Sequence, residues 1–206
     1  MSEELGLNRK TVARYHKLIR DLLEKNHVDP SFDGKLWVWW NIYNCREQRD
    51  KKNVPFEKPP RKRALKRRGR GTYDTDKPPV FTIVHRETKY TIFLVLKNLR
   101  KVVGGIVDRF VKNEAIIYTD EYVIYNNLIN HEKVIGHYTV NHGKGEYAKG
   151  EIHVNNDENR HSLLRRFLRI FRGVSKENLQ GYALLEQFRI NYKTDSYDMI
   201  LQTIVE

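Results

Sequence analysis

Apolar residues follow two different spacings along the chain. In some segments they recur every third or fourth residue, which predicts helices because such residues share one face. In other segments, short runs of β-branched and aromatic residues predict strands, because these side chains fit a pleated, half-buried surface. In chain order, the patterns predict two short helices with a turn in residues 2–25, strands over 36–43, 80–84 and 89–96, a helix over 102–111, a strand over 115–118, a short helix or turn over 122–128, a strand over 137–140, and helices over 157–171 and 178–191.

The order of these elements indicates the fold class. Residues 86–88 form a predicted turn that joins strands 80–84 and 89–96 into an antiparallel hairpin. The continuous apolar run of residues 115–118 is typical of a central, buried strand. An antiparallel pair beside a parallel crossover connection is an α/β arrangement. We therefore predict a ribonuclease-H-like mixed sheet with flanking helices over residues 34–193.

The amino-terminal segment, residues 1–28, has the pattern of a partial helix-turn-helix. Residues 5–8 form a predicted turn, and Asn8 is a suitable N-cap for the basic helix that follows. A short helix, a glycine-containing turn and a basic second helix occur together in DNA-binding motifs, and an ordinary helical hairpin is the alternative. The second helix would bury a stripe of Val12, Tyr15, Ile19, Leu22 and Leu23 and would present Arg9, Lys10, Thr11 and Arg14 to DNA.

The charge is concentrated in one segment. The 206 residues include 38 Lys and Arg and 26 Asp and Glu, a net charge of +12. Residues 46–72 contain twelve of these cations and three of the acids, so this segment alone carries +9. Its prolines and glycines predict an exposed loop, and clustered cations bind polyanions by displacing counterions from phosphates. A solvated basic loop or a localisation tract is the alternative. The candidate DNA-binding residues of this segment are Arg61, Lys62, Arg63, Lys66, Arg67, Arg68 and Arg70.

Two features of the composition exclude other classes of protein. The single cysteine, Cys45, excludes a disulfide framework and the zinc modules that need two or more thiolates. No apolar run reaches the roughly 18–20 residues of a membrane span, and the amino terminus has no apolar signal region. We therefore expect a protein of the cytoplasm, associated with the nucleoid in a prokaryote, whose partner is nucleic acid and not a membrane.

Two acidic residues lie where α/β proteins build their sites. Asp120 ends the predicted buried strand, at the carboxyl edge of the sheet. Glu158 lies at the start of a helix, so the two carboxylates can converge and bind Mg²⁺ through their oxygens. Arg165 follows Glu158 by two helical turns, on the same face, where it can contact a phosphate. The alternative for Glu158 is an acid that only stabilises the start of its helix.

Several short motifs follow one another in a fixed order. They are residues 67–72 followed by 76–80, the Tyr-Thr-Asp-Glu-Tyr run of 118–122, the Val-Asn-His run of 140–142, residues 153–158 followed by 162–166, and the helix of 178–191. In order and spacing they resemble insertion-sequence transposases of the ISXO-two-like group, in the DDE transposase and retroviral integrase superfamily. The resemblance covers residues 2–193 and leaves 194–206 as a carboxy-terminal tail.

The resemblance implies an activity and the residues that perform it. Asp120 matches the family's second acid and Glu158 its third, with Asn155 as the alternative third residue. Arg165 matches a position where the family often has Lys. The implied activity is cleavage of transposon ends and strand transfer into target DNA, with Mg²⁺ or Mn²⁺ held by Asp120 and Glu158. The expected partners are transposon and target DNA, and further copies of the chain in a homodimer or higher oligomer.

One departure from the family concerns its first acid. The matching position falls at Trp39 or Trp40, and no acid occurs between Asp33 and Glu47. Tryptophan cannot ligate Mg²⁺, because its ring nitrogen is only a hydrogen-bond donor. We therefore expect a transposase-like protein with impaired catalysis. The alternatives are a competent transposase whose first acid comes from elsewhere and a non-enzymatic DNA-binding or regulatory remnant. Because the chain begins inside the helix-turn-helix pattern, we also expect it to be truncated.

Overall fold

The computed structural model describes residues 6–43, 73, 78–97, 103–140, 148–149, 152–153, 155–171, 173–195, 198–199 and 202. The predicted short element after residue 120 consists of two single turns of 3₁₀-helix, Val123–Tyr125 and Leu128–Asn130. The helices and strands of the described residues are α1 (Arg9–Lys25), β1 (Phe32–Ile42), β2 (Pro79–His85), β3 (Thr91–Val95), α2 (Val103–Phe110), β4 (Val111–Asp120), β5 (Val134–Val140), β6 (Ala148–Lys149), β7 (Ile152–His153), α3 (Asn155–Ile170) and α4 (Leu179–Tyr192).

Five of the strands form one mixed sheet in the order β3-β2-β1-β4-β5. β1, β2 and β3 are antiparallel neighbours, whereas β4 and β5 continue the sheet in parallel with β1. The predicted hairpin is formed by β2 and β3, and the predicted buried strand is the central part of β4. The α/β prediction is therefore confirmed, and the strand order is compatible with a ribonuclease-H-like core.

Helices cover both faces of this sheet. On one face, Phe81 and Ile117 pack with Phe110 of α2 in a single apolar cluster. On the other face, Phe93 packs with Leu164 of α3 and with α4. Because neighbouring residues of a strand point to opposite faces, a strand covered on both sides is apolar throughout. This explains why β2 is buried at every position.

The helix α1 begins at its predicted cap and packs on α4. The side-chain oxygen of Asn8 accepts a hydrogen bond from the backbone N–H of Lys10 at 2.9 Å, as expected for an N-cap. Gly181 of α4 allows the two helices to approach closely, since a Cβ there would lie 3.3 Å from the Arg20 side chain. The Arg20 guanidinium in turn lies 4.0 Å from the centre of the Tyr182 ring, which keeps this cation buried between the helices.

The buried stripe predicted for α1 is wrong at one position. Tyr15 is 57% exposed, whereas Ile19 and Leu23 pack against the cluster formed by α3 and α4. Residues 1–5 would form the first helix of the helix-turn-helix and lie outside the described residues, so that motif stays a prediction. Among the residues that the structure describes, no helix is long and apolar enough to cross a membrane.

Candidate functional site

A row of five residues, one from each strand, crosses the sheet near its carboxyl edge. Thr82 of β2 pairs with Phe93 of β3 on one side and with Trp39 of β1 on the other. The parallel register of β1 and β4, extended by two residues, brings Trp39 beside Asp120, which pairs with Val140 of β5. Residues in register share one face of a sheet, so these side chains point to the face that α3 and α4 cover.

Asp120 is the last residue of β4, and its carboxylate is oriented by the turn that follows. Its Oδ1 accepts a hydrogen bond from the backbone N–H of Tyr122 at 3.1 Å. The next residue along β1 after Trp39 faces the other side of the sheet, where the rings of Trp40 and Tyr122 lie 5.2 Å apart. The β1 residue that shares a face with Asp120 is therefore Trp39 and not Trp40.

The helix α3 is attached to this face by a buried histidine. His161 is only 2% exposed, and its Nδ1 lies 2.9 Å from the hydroxyl of Tyr43, just beyond β1. Its Nε2 lies 3.2 Å from Oγ1 of Thr82, the neighbour of Trp39 in the row. These two contacts hold the first half of α3 over the row that contains Asp120.

Burial determines the protonation of this network. It lowers the pKa of His161 to about 3, and the positive charge of Arg165 lowers that pKa further, so the imidazole is neutral near pH 7. Burial also raises the pKa of the Tyr43 hydroxyl above its ordinary value, against the opposing effect of Arg165. The network is therefore a neutral attachment of α3 and not an acid–base pair that titrates near neutral pH.

Three of the predicted catalytic residues belong to α3. The backbones of Asn155 and Glu158 lie in the first turn of the helix, while their side chains lie outside the described part of the chain. Arg165 is exposed, and its guanidinium carbon lies 6.0 Å from the centre of the Tyr43 ring, beyond the end of β1. Arg165 is thus near the carboxyl edge of the sheet, the edge at which Asp120 also lies.

Comparison with known proteins establishes the family. The sequence model of the ISXO2-like transposase domain matches residues 46–191. The chain belongs to the ISXO2-like transposase family. It is also 36% identical, over 209 residues, to an uncharacterized protein in transposable element ISH50 of Halobacterium salinarum, and the match covers all of this chain and 68% of the relative.

DDE transposases, of which the ISXO2-like family is part, generally use divalent metal ions. Among the side chains that the structure describes, no group of three or more His, Cys, Asp and Glu could hold a metal ion. Beside Asp120 in the row stand Trp39 and Val140, which supply no oxygen ligand, and both ring nitrogens of His161 contact hydroxyl groups. The donors described around Asp120 therefore do not fit a site for two metal ions.

The residues predicted to contact DNA fall into two groups. Arg9, Lys10 and Arg14 lie on the exposed surface of the first turns of α1, with Thr11 half-buried beside them. The second group, Arg61, Lys62, Arg63, Lys66, Arg67, Arg68 and Arg70, lies outside the described residues.

The network of Tyr43, Thr82 and His161 was not among the sites predicted from the sequence. One signal was present, because His161 precedes Leu164 by three residues and so falls on the buried face of α3. Its partners are 118 and 79 residues away along the chain, and no local pattern connects them.

Proposed function

We propose that this chain is a transposase-like protein that binds transposon DNA and whose own cleavage and strand-transfer activity is impaired. The observation that carries the proposal is the row across the sheet, in which Trp39 is the β1 residue beside Asp120. The family match and the relative in a transposable element support the transposase-like role.

The proposed domain organisation follows the sequence pattern. Residues 34–193 are a ribonuclease-H-like transposase domain into which the basic segment 46–72 is inserted. Residues 1–28 contribute part of a helix-turn-helix, and residues 194–206 are a tail. The strand order β3-β2-β1-β4-β5 supports the first of these assignments.

The impairment follows from the chemistry of phosphoryl transfer. Attack on a phosphodiester by water or by a 3′ hydroxyl is assisted by two metal ions, which stabilise the attacking and leaving oxygens. Mg²⁺ requires oxygen ligands in a nearly octahedral arrangement, and an indole ring supplies none. Trp39 also occupies the place beside Asp120 that a carboxylate of β1 would need. Asp120 and Glu158, with Asn155 as the alternative to Glu158, are the residues left to hold Mg²⁺ or Mn²⁺.

DNA binding would use the basic residues that the chain presents. Residues 6–20 contain no acid, so the exposed side chains of Arg9, Lys10 and Arg14 give the first turns of α1 a basic surface that suits phosphates. Segment 46–72 adds a net charge of +9. Arg165 lies at the carboxyl edge of the sheet and would contact a phosphate near Asp120.

The test combines binding and cleavage on one set of substrates. The full chain is incubated with duplexes of the DNA that flanks its gene, in Mg²⁺ or Mn²⁺, and both binding and strand breakage are measured. We expect binding without end cleavage or strand transfer. Robust cleavage that Asp120→Ala abolishes would contradict the impairment and would support a competent transposase with a first acid from elsewhere.

A second measurement distinguishes recognition of transposon ends from general binding of polyanions. Selective binding to inverted repeats that is lost when Arg9, Lys10 and Arg14 are replaced by Gln supports end recognition by α1. Deletion of 46–72 should lower affinity for all duplexes equally and flatten the salt dependence. Lys112→Gln, which changes an exposed cation at the start of β4, is the control and should leave both properties unchanged.

A further inference from the structure

The two edge strands of the five-stranded sheet, β3 and β5, differ in what covers their outer backbone groups. The outer edge of β3 is covered by three amide side chains of α4, at positions 180, 187 and 191. Gln180 accepts a hydrogen bond from the N–H of Val95 at 2.7 Å and donates one to the carbonyl of Phe93 at 3.2 Å. Gln187 accepts from the N–H of Phe93 at 2.8 Å. Asn191 accepts from the N–H of Thr91 and donates to its carbonyl, both at 2.8 Å.

These amides replace the strand that is missing beside β3. A carboxamide offers one acceptor and two donors, as a peptide group offers one of each, so it satisfies an edge strand in the same way. Unpaired edges invite pairing with another chain, and proteins usually cover or charge them. The edge at β3 is therefore closed to a further strand.

The opposite edge, at β5, has no such cover in the part of the chain that the structure describes. Among the described residues, β5 pairs with β4 alone. Its sequence, Val-Ile-Gly-His-Tyr-Thr-Val, contains no charged residue although the chain carries a net charge of +12. Ile135 is 59% exposed and Tyr138 is 51% exposed. The described part of this edge therefore lacks both the charges and the cover that normally prevent strand pairing.

We propose that β5 pairs in antiparallel fashion with β5 of a second copy of the chain, so that two sheets join into one. A twofold axis at His137 places Tyr138 opposite the partner's Gly136, and Ile135 opposite the partner's Thr139. The Tyr138 ring already extends over its own Gly136, since a Cβ there would lie 3.3 Å from the Tyr138 Cε2. The two Tyr138 rings then meet diagonally across the axis, within the reach of aromatic side chains.

The aromatic contact continues a stack that exists within one chain. The rings of Tyr118 and Tyr138 are stacked with their centres 5.5 Å apart. Pairing about the axis extends this stack from one sheet into the next, on the face that also holds Asp120. Glycine at 136 favours this arrangement, because a Cβ there would lie 3.3 Å from the Tyr138 Cε2 and the ring would have to shift.

The charge pattern favours a second copy of the chain, and not nucleic acid, as the partner that binds the β5 edge. A strand without Lys or Arg neutralises no phosphate charge, so this edge offers DNA little electrostatic attraction. Two chains of strong like charge approach each other most easily where the charge is absent. A twofold axis also requires a self-complementary surface, which pairing of β5 with itself supplies.

The first test measures self-association of the full chain without DNA, by sedimentation velocity over a range of micromolar concentrations. We expect a reversible dimer, and we expect Ile135→Lys and Tyr138→Lys each to weaken it by about tenfold or more. Ile170→Lys places the same charge at a 68% exposed position of α3 and should leave the dimer unchanged. A chain that stays monomeric, or a dimer that the β5 variants do not weaken, overturns the proposal.

The second test does not depend on the folding of the lysine variants. In a Cys45→Ser background, His137→Cys places one cysteine on the proposed axis, and mild oxidation should give a disulfide-linked dimer. Ile170→Cys in the same background is the control and should not become disulfide-linked. Equal cross-linking of the two variants overturns the proposal. Because neither test includes DNA, their outcome leaves the proposed DNA binding to be judged by its own experiments.

Discussion

The hydroxyl oxygen of Tyr43 lies 2.9 Å from Nδ1 of His161 and joins the end of β1 to α3. The same hydroxyl donates a hydrogen bond to the backbone carbonyl of His161 at 3.3 Å. Since its only proton is used there, the consistent assignment gives Nδ1 the imidazole proton and leaves Nε2 to accept from Thr82. This buried contact positions the helix that contains Glu158, the predicted third acid.

Removing the Tyr43 hydroxyl should therefore destabilise the fold. Tyr43→Phe keeps the ring but leaves a buried N–H of His161 without its acceptor, which costs about 1–3 kcal/mol of unfolding free energy. Chemical denaturation measures this loss. Tyr15→Phe removes a hydroxyl from a side chain that is 57% exposed and should change stability by less than about 0.5 kcal/mol. Equal losses in the two variants would show that the contact contributes nothing.

The low pKa of His161 predicts how stability depends on pH. The imidazole has a pKa of about 3 in the folded chain, against an ordinary value of 6.5, so between these values only the unfolded chain binds the proton. The stabilisation of the fold that depends on a neutral His161 is complete above pH 6.5. As pH falls towards 3 the free energy of unfolding decreases, by up to about 1.4 kcal/mol per pH unit.

Urea denaturation at about pH 7 and about pH 5 measures this effect, with His161→Gln as the comparison. Glutamine is polar and does not titrate, so the variant should lose less stability over this interval than the parent chain. Other titrating groups are common to both proteins and cancel in the difference. A parallel pH dependence in the two proteins would contradict the prediction.

The amide side chains along β3 should also stabilise the protein. Gln187→Leu fills a similar volume but leaves the buried N–H of Phe93 without an acceptor, at a cost of about 1–3 kcal/mol. Thermal or chemical unfolding measures this cost, and loss of the cover should also increase aggregation through the β3 edge. The control is Asn126→Ala, which changes an exposed amide after the first 3₁₀ turn. A loss no larger than that of the control would be evidence against the role of the amide.

A carboxylate introduced on β1 should permit metal binding and DNA cleavage only at the position beside Asp120. Trp39→Asp introduces an acid on the face of Asp120, so we expect Mn²⁺ to raise its melting temperature and to permit cleavage of DNA ends. Trp40→Asp introduces the same acid on the other face, beside Tyr122, and should gain neither property. Both variants lose the packing of an indole, so each is compared with itself in the absence of metal. An equal response of the two to Mn²⁺ would refute the assignment of Trp39.

Many local features of this protein were predictable from its sequence. Helical spacing and the Asn8 cap predicted α1, and two apolar runs with a short turn predicted the β2–β3 hairpin, because each depends on neighbouring residues. The α/β class followed from the order of the elements. The carboxylate at Asp120 was found because it ends an apolar run, and its place at the edge of the sheet is confirmed.

The sequence by itself determined which segments are helices and strands, and only the tertiary structure decided which side chains meet. Trp39 and Trp40 could not be distinguished by pattern, because a shift of one residue turns a strand's side chains to the other face. The pairing of β1 with β2 and β4 shows that Trp39 is the residue on the same face as Asp120. Packing on α4 likewise leaves Tyr15 exposed, and folding brings His161 to Tyr43 across 118 residues. Such contacts depend on how distant segments pack, and the spacing of neighbouring residues does not determine that packing.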